Sequence, residues 1–208
     1  MSCGICPRNC GVKRKNEVGI CSVTENFKVA RAMPHFWEEP FISGTNGSGT
    51  VFFSGCNLGC VYCQNYGISH RKEGKRVTEE RLGEIFSELI NDGAHNINLV
   101  NPTHYALKIK RVLEEYPVSV PVVYNSSGYE KSEILKSLEG TVSIYLPDLK
   151  YISGERSMKY SSAGDYFDYA SRALTEMKRQ CPENIFDGDG IMQKGMIVRH
   201  LILPKNTN

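Results

Sequence analysis

Eight cysteines dominate the chemistry open to this 208-residue chain, at positions 3, 6, 10, 21, 56, 60, 63 and 181. Cys56, Cys60 and Cys63 form a C-x3-C-x2-C run, Cys-Asn-Leu-Gly-Cys-Val-Tyr-Cys. Three thiolates on one tight loop can hold three corners of an iron–sulfur cube. A cluster with four cysteine ligands is coordinatively closed, whereas three local thiolates leave one iron open to a small molecule. Zinc and three unrelated buried thiols are the alternatives, but structural zinc sites want four ligands, usually as two separated pairs.

Cys3, Cys6, Cys10 and Cys21 supply four more thiols in a segment too short for an apolar core of its own. A metal would staple it, because metal-binding energy can become folding energy. The ligand count fits zinc or an iron–sulfur cluster equally; a reduced tail or disulfides formed in air are the other readings. Lys13, Arg14 and Lys15 read as a solvated face. Cys181 falls four residues after Met177 on one helical stripe and reads as a packing thiol. His35, Trp37, Glu38 and Glu39 form a polar group for which surface charge is the commoner explanation, although paired carboxylates can do acid–base work. His104 is a capping or site candidate. His70 and His95 belong to no constellation.

These residues must be positioned by an alternation of apolar runs and amphipathic stretches. Strands are expected at Val51–Phe53, Ile97–Val100, Val120–Tyr124, Val142–Leu146 and Met196–Leu203. Between them, Thr78 caps a helix with Glu79 and Glu80 in its first turn, and Leu82, Ile85, Phe86, Leu89 and Ile90 follow at helical spacing before Gly93. Further stripes run through Tyr105–Tyr116, Ile134–Leu138 and Tyr166–Met177. Strands alternating with helices imply parallel βαβ units, and near-continuous apolar strands imply that both faces are covered. Both a parallel barrel and a doubly wound sheet fit. A full eight-fold barrel needs about 250 residues, so the expected barrel is partial, truncated after its fifth strand. The expected organisation is a Cys-rich segment over 1–26, a connector over 27–50 with a flexible glycine-rich approach, and the barrel over 51–208.

Lys+Arg number 25 and Asp+Glu 23, a net charge of +2. That balance is too even for a phosphate-backbone binder, so no nucleic-acid partner is expected. No apolar run reaches the roughly 18 residues of a membrane span, and no export signal opens the chain. Clustered thiols in a cytoplasmic chain point to metal or redox chemistry rather than to a disulfide scaffold.

The Cys56/Cys60/Cys63 run, with Tyr62 before its last cysteine, resembles the signature of radical S-adenosylmethionine enzymes. Asn98–Thr103 falls where that superfamily carries Gly-Gly-Glu-Pro; this chain keeps the proline alone. Asp148-Leu149-Lys150 resembles the Asp-Leu-Lys of glycyl-radical-enzyme activases, and Arg199 and His200 resemble activase positions near the cofactor. Cys-Pro-Arg-Asn-Cys-Gly at 6–11, Glu38-Glu39-Pro40 and Ser54-Gly55-Cys56 extend the resemblance to the subgroup related to pyruvate formate-lyase activating enzymes, from Cys3 to Pro204. The resemblance implies a [4Fe-4S] cluster on Cys56, Cys60 and Cys63, with S-adenosylmethionine cleaved reductively to a 5′-deoxyadenosyl radical that abstracts hydrogen. Tyr62, Asn101, Thr103, Asn125, Ser126, Asp148 and Arg199 are the implied cofactor contacts, and Lys150, Asp148 and Arg199 the implied catalytic residues. It further implies an electron donor such as flavodoxin or ferredoxin, and a protein or small-molecule substrate, glycyl-radical formation being one outcome. A non-catalytic iron–sulfur or zinc protein, or a truncated inactive member, is the competing expectation.

Overall fold

A computed structural model describes residues 2–204. In chain order the elements are β1 (Lys28–His35), α1 (Pro40–Ser43), β2 (Ser48–Phe53), α2 (Tyr66–Ser69), β3 (Lys75–Arg76), α3 (Glu79–Asn91), β4 (Ile97–Val100), α4 (Ala106–Glu115), β5 (Val122–Ser126), α5 (Ser132–Ser137), β6 (Ile144–Pro147), α6 (Gly154–Ser161), α7 (Tyr166–Gln180), β7 (Ile185–Phe186) and β8 (Met192–Met196). They build an α/β fold around a mixed eight-stranded sheet of order β3-β1-β2-β4-β5-β6-β8-β7. Strands β2, β4, β5, β6 and β8 are parallel neighbours, while β1, β3 and β7 add antiparallel edges.

The parallel strands follow one another in chain order without reversal, so the crossover helices collect on one face. Consecutive helices pack together there, α3 on α4, α4 on α5 and α5 on α7. Val51, Phe53, Ile97, Leu99 and Val122 meet Leu82, Ile85, Phe86, Ile109 and Val112. Tyr124 and Tyr145 meet Leu135, Leu138, Ala173 and Met177. The alternate positions Val123, Ile144 and Leu146 gather on the other face with Met192 and with Ile42 of α1. A side chain such as Phe86, wholly buried, contributes about 2–3 kcal/mol through removal from water. The Thr78 hydroxyl accepts the Arg81 N–H at 3.0 Å and starts α3 as expected.

Three expectations change. Residues 27–50 are not a connector: they hold β1 and α1, and Ser48, Gly49 and Thr50 are buried strand residues of β2. Gly49 is needed for close approach, since a Cβ there would stand 2.8 Å from the Asn96 carbonyl oxygen. The last parallel strand is Met192–Met196 rather than Met196–Leu203; beyond it only an isolated parallel bridge joins Arg199 to Asp148. Buried Ile191 and Met192 set that register by packing inward. Arg14 is no solvated cation: it donates to the Thr24 carbonyl at 2.7 Å and to the His104 carbonyl, and stacks over Tyr105. No described helix is long and apolar enough to cross a membrane.

Candidate metal centre

β2 ends at Phe53, and the chain turns at Gly55 into the cysteine loop. Gly55 has φ +83°, and a Cβ there would collide with the Cys21 carbonyl oxygen. Cys56, Cys60 and Cys63 therefore lie at the C-terminal edge of the parallel strands, between β2 and α2. Each sulfur has a hydrogen-bond donor. The Leu58 N–H points at Cys56 Sγ at 3.4 Å, the Ser161 hydroxyl at Cys60 Sγ at 2.9 Å, and the Ser69 hydroxyl at Cys63 Sγ at 3.2 Å. Burial pushes the Cys56 thiol up to about 12, against the pull of the Leu58 N–H. Burial also raises the Cys60 thiol, against the Ser161 hydroxyl. Without a cation, the Cys56 and Cys60 thiols stay protonated; a metal would be needed to hold them as thiolates. The donor set fits an iron–sulfur cluster, because donors to the sulfurs are the groups that stabilise cluster thiolates.

Beside this loop, the ends of β5 and β6 carry a charged network. Lys150 Nζ donates to Asp148 Oδ2 at 2.5 Å, and Arg199 Nε donates to Asp148 Oδ1 at 3.1 Å. Arg199 also donates to Asn125 Oδ1 at 2.6 Å and to Glu38 Oε2 at 3.3 Å, and Asn125 Nδ2 to Glu38 Oε1 at 3.3 Å. Lys150 lies within electrostatic reach of Cys56 and Cys60. Its ammonium is held charged above the ordinary lysine value, because Asp148 outweighs the opposing cost of burial. Glu38 is therefore not surface charge: its side chain is 10 % exposed, and burial raises its pKa although Arg199 opposes this. The Asn98 side chain is fully buried beside Glu38 and helps to favour its charged form.

The remaining expected contacts divide. Asn101, at φ +58°, places its carboxamide 3.6 Å from Cys56 Sγ and donates to the Gly55 carbonyl. The Tyr62 hydroxyl meets that of Tyr151 at 2.5 Å, which meets Ser161 Oγ at 3.0 Å, so a hydroxyl chain leads from Tyr62 to Cys60. Thr103 is buried and donates to Glu130 Oε1 at 2.5 Å; Ser126 Oγ accepts the Gly128 N–H at 3.2 Å. Those two hydroxyls serve the scaffold rather than the network. His104 is buried, bonded to the Ser54 carbonyl at 2.9 Å, and driven down to about 3 chiefly by burial. His200 bonds the Leu149 carbonyl. Cys181, 1 % exposed, packs among the helices at Ser143.

Sequence reasoning missed Ser69, Ser161 and Glu130. Glu130 is fully buried, and burial raises its pKa to about 7. Serine hydroxyls facing a sulfur carry no spacing signal; a lone Glu between Tyr129 and Lys131 reads as surface. A groove lined by Phe36, Trp37, Phe41 and Ile191 opens at the opposite, N-terminal end of the strands.

The chain is similar along 99 % of its length to an uncharacterized protein of Methanocaldococcus jannaschii, at 29 % identity. It is similar over 57 % of its length to a 7-carboxy-7-deazaguanine synthase of Methanothermobacter thermautotrophicus, at 30 % identity. It spans 58 % and 51 % of the length of these two relatives. These likenesses and the cysteine loop support an α/β domain of the radical S-adenosylmethionine type. Residues 42–158, more than half of the chain and including Cys56, Cys60 and Cys63, match a 4Fe-4S single cluster domain, and the chain belongs to that family.

Proposed function

We propose that this chain is a radical S-adenosylmethionine enzyme with activase-like chemistry, built on a partial parallel barrel. The single observation that carries the proposal is the juxtaposition of three donor-supported thiols with the Asp148–Lys150–Arg199 network at one edge of the sheet. A [4Fe-4S] cluster on Cys56, Cys60 and Cys63 would supply one electron to S-adenosylmethionine and so a 5′-deoxyadenosyl radical.

The chain's own residues bind and orient. S-adenosylmethionine carries an ammonium, a carboxylate and a sulfonium. Asp148 and Arg199 offer fixed charges of both signs, already hydrogen-bonded and so costing little reorganisation. Asn125 Oδ1 accepts from the Arg199 guanidinium and helps to fix it, and Asn101 presents its carboxamide beside Cys56. Lys150 keeps a positive charge near the thiolates. Tyr62, tied through Tyr151, would offer a ring face for the adenine. Thr103 and Ser126 act as positioning residues beneath these contacts.

The sequential parallel strand order supports a barrel-type sheet over a doubly wound one, in which the order reverses. The likeness to a 7-carboxy-7-deazaguanine synthase supports an enzyme. Glycyl-radical formation in a partner protein is the reaction towards which Asp148-Leu149-Lys150 leans. A cytoplasmic setting and a flavodoxin- or ferredoxin-type donor belong to the same proposal.

The test is anaerobic reconstitution with iron and sulfide, reduction, and assay for 5′-deoxyadenosine from S-adenosylmethionine. Product is expected from the native chain and none from Cys60→Ala. Equal product from both would overturn the reading.

A further inference from the structure

We infer that Cys3, Cys6, Cys10 and Cys21 hold a second iron–sulfur cluster, seated against the loop of the first. These residues lie outside the span of the family match. The inference uses none of the residues of the proposed function, and either can fail alone.

Residues 2–27 form neither helix nor strand, yet Cys6 and Cys21 are buried. The backbone is folded back on itself: the Cys3 N–H donates to the Val12 carbonyl and the Gly11 N–H to the Cys3 carbonyl, both at 3.0 Å. Asn9 and Gly11 take positive φ to make that turn. A second turn, Ser22 N–H to Gly19 carbonyl at 2.8 Å, wraps the sulfur of Cys10 so closely that a Cβ at Gly19 would collide with it. Cys21 lies within electrostatic reach of Cys3 and Cys10, and Cys6 of Cys3 and Cys21. The four free thiols thus share one neighbourhood.

Four free thiols in a short segment seated against a cysteine loop that lies inside a 4Fe-4S match fit an iron–sulfur cluster. Four thiolates would close it, which suits electron transfer rather than substrate binding.

The segment is docked onto the first loop at two points. Arg8, between Cys6 and Cys10, donates to the Asn57 carbonyl at 2.7 Å and to the Ser162 carbonyl at 2.5 Å, and stacks over Tyr129 at 5.3 Å. The Cys21 carbonyl sits against Gly55, next to Cys56. The two sets of thiols are therefore joined by one arginine side chain and one glycine.

The experiment uses the whole chain, loaded anaerobically with ferrous iron and sulfide in the presence of competing zinc. In the variant Cys56→Ala/Cys60→Ala/Cys63→Ala, roughly four irons and four sulfides per chain should remain. The reduced native chain should show an electron paramagnetic resonance spectrum broadened by two coupled centres. A variant that retains no iron, or takes up zinc without sulfide, overturns the inference. Should the variant fail to fold, alkylation of the native chain decides. Cys3 and Cys10, both part-exposed, should lose their reactivity on loading, and unchanged labelling of both overturns the inference.

Discussion

The two cysteine regions use one residue type in opposite ways. Cys56, Cys60 and Cys63 ride on a loop pinned between a buried strand and a short helix, and each sulfur is met by a donor, two of them local and one, Ser161, from far along the chain. Cys3, Cys6, Cys10 and Cys21 sit in a segment without regular structure, where the Cys21 thiol points at the Val23 carbonyl at 3.9 Å. The first region is a site imposed by the fold. The second owes its shape to tight turns, to Arg8 and Arg14, and to whatever its thiols bind. Preorganisation in the first region should therefore survive metal loss, while the second should loosen.

The largest expected effect on this contrast comes from Cys60→Ala, which should abolish 5′-deoxyadenosine formation while leaving the far-ultraviolet circular dichroism unchanged. Next is Arg8→Ala. It leaves the Asn57 and Ser162 carbonyls without a charged donor, and should cost about 1–3 kcal/mol of local stability. Hydrogen exchange should rise across residues 2–27 and remain unaltered in β4 and β5; equal exchange in both would erase the contrast.

Glu130 links the regions, being bonded to Thr103 and near Cys6. Its folded pKa is raised from 4.5 to about 7, so the folded state binds the extra proton between those values. Its contribution to stability is full below about 4.5 and is lost as pH rises through 7. Glu130→Gln should remove a decline on the order of 3 kcal/mol over that window, read as the difference between native and variant urea midpoints. A variant that declines in parallel with the native chain would show that Glu130 titrates normally. The smallest effect is expected from Ser161→Ala and Ser69→Ala. Each removes a donor to a cluster sulfur and should lower the midpoint potential by tens of millivolts, on the order of one weak hydrogen bond; a rise in potential would contradict that role.

Much of the sheet was legible in the sequence because parallel strands buried on both faces are short apolar runs. Ile97–Val100 is such a run, and α3 announced itself through Thr78 and its acidic first turn. β1 was not legible: all of Lys28–His35 except Val29 is partly buried or exposed, and pairing with β2 rather than an apolar pattern holds it. β8 was misplaced because Met-Gln-Lys-Gly-Met has little strand character of its own, while the more apolar Val198–Leu203 stretch attracted the assignment. The thiol loop could be read locally. Its neighbours could not, since Glu38 finds Arg199 across 161 residues and Arg14 finds His104 across 90. Charge that reads as surface in a window becomes interior once such a partner arrives.

Arg8 carries a consequence for synthesis. Its partners at Asn57 and Ser162 lie 49 and 154 residues further along the chain. Emerging from the ribosome, Cys3 to Cys21 come first and reach their seat last. Until residue 162 emerges, four thiols trail from the nascent chain without their full platform, open to oxidation or to the wrong metal. The order of manufacture thus runs against the order of assembly, and the cell must guard these cysteines until residue 162 is made.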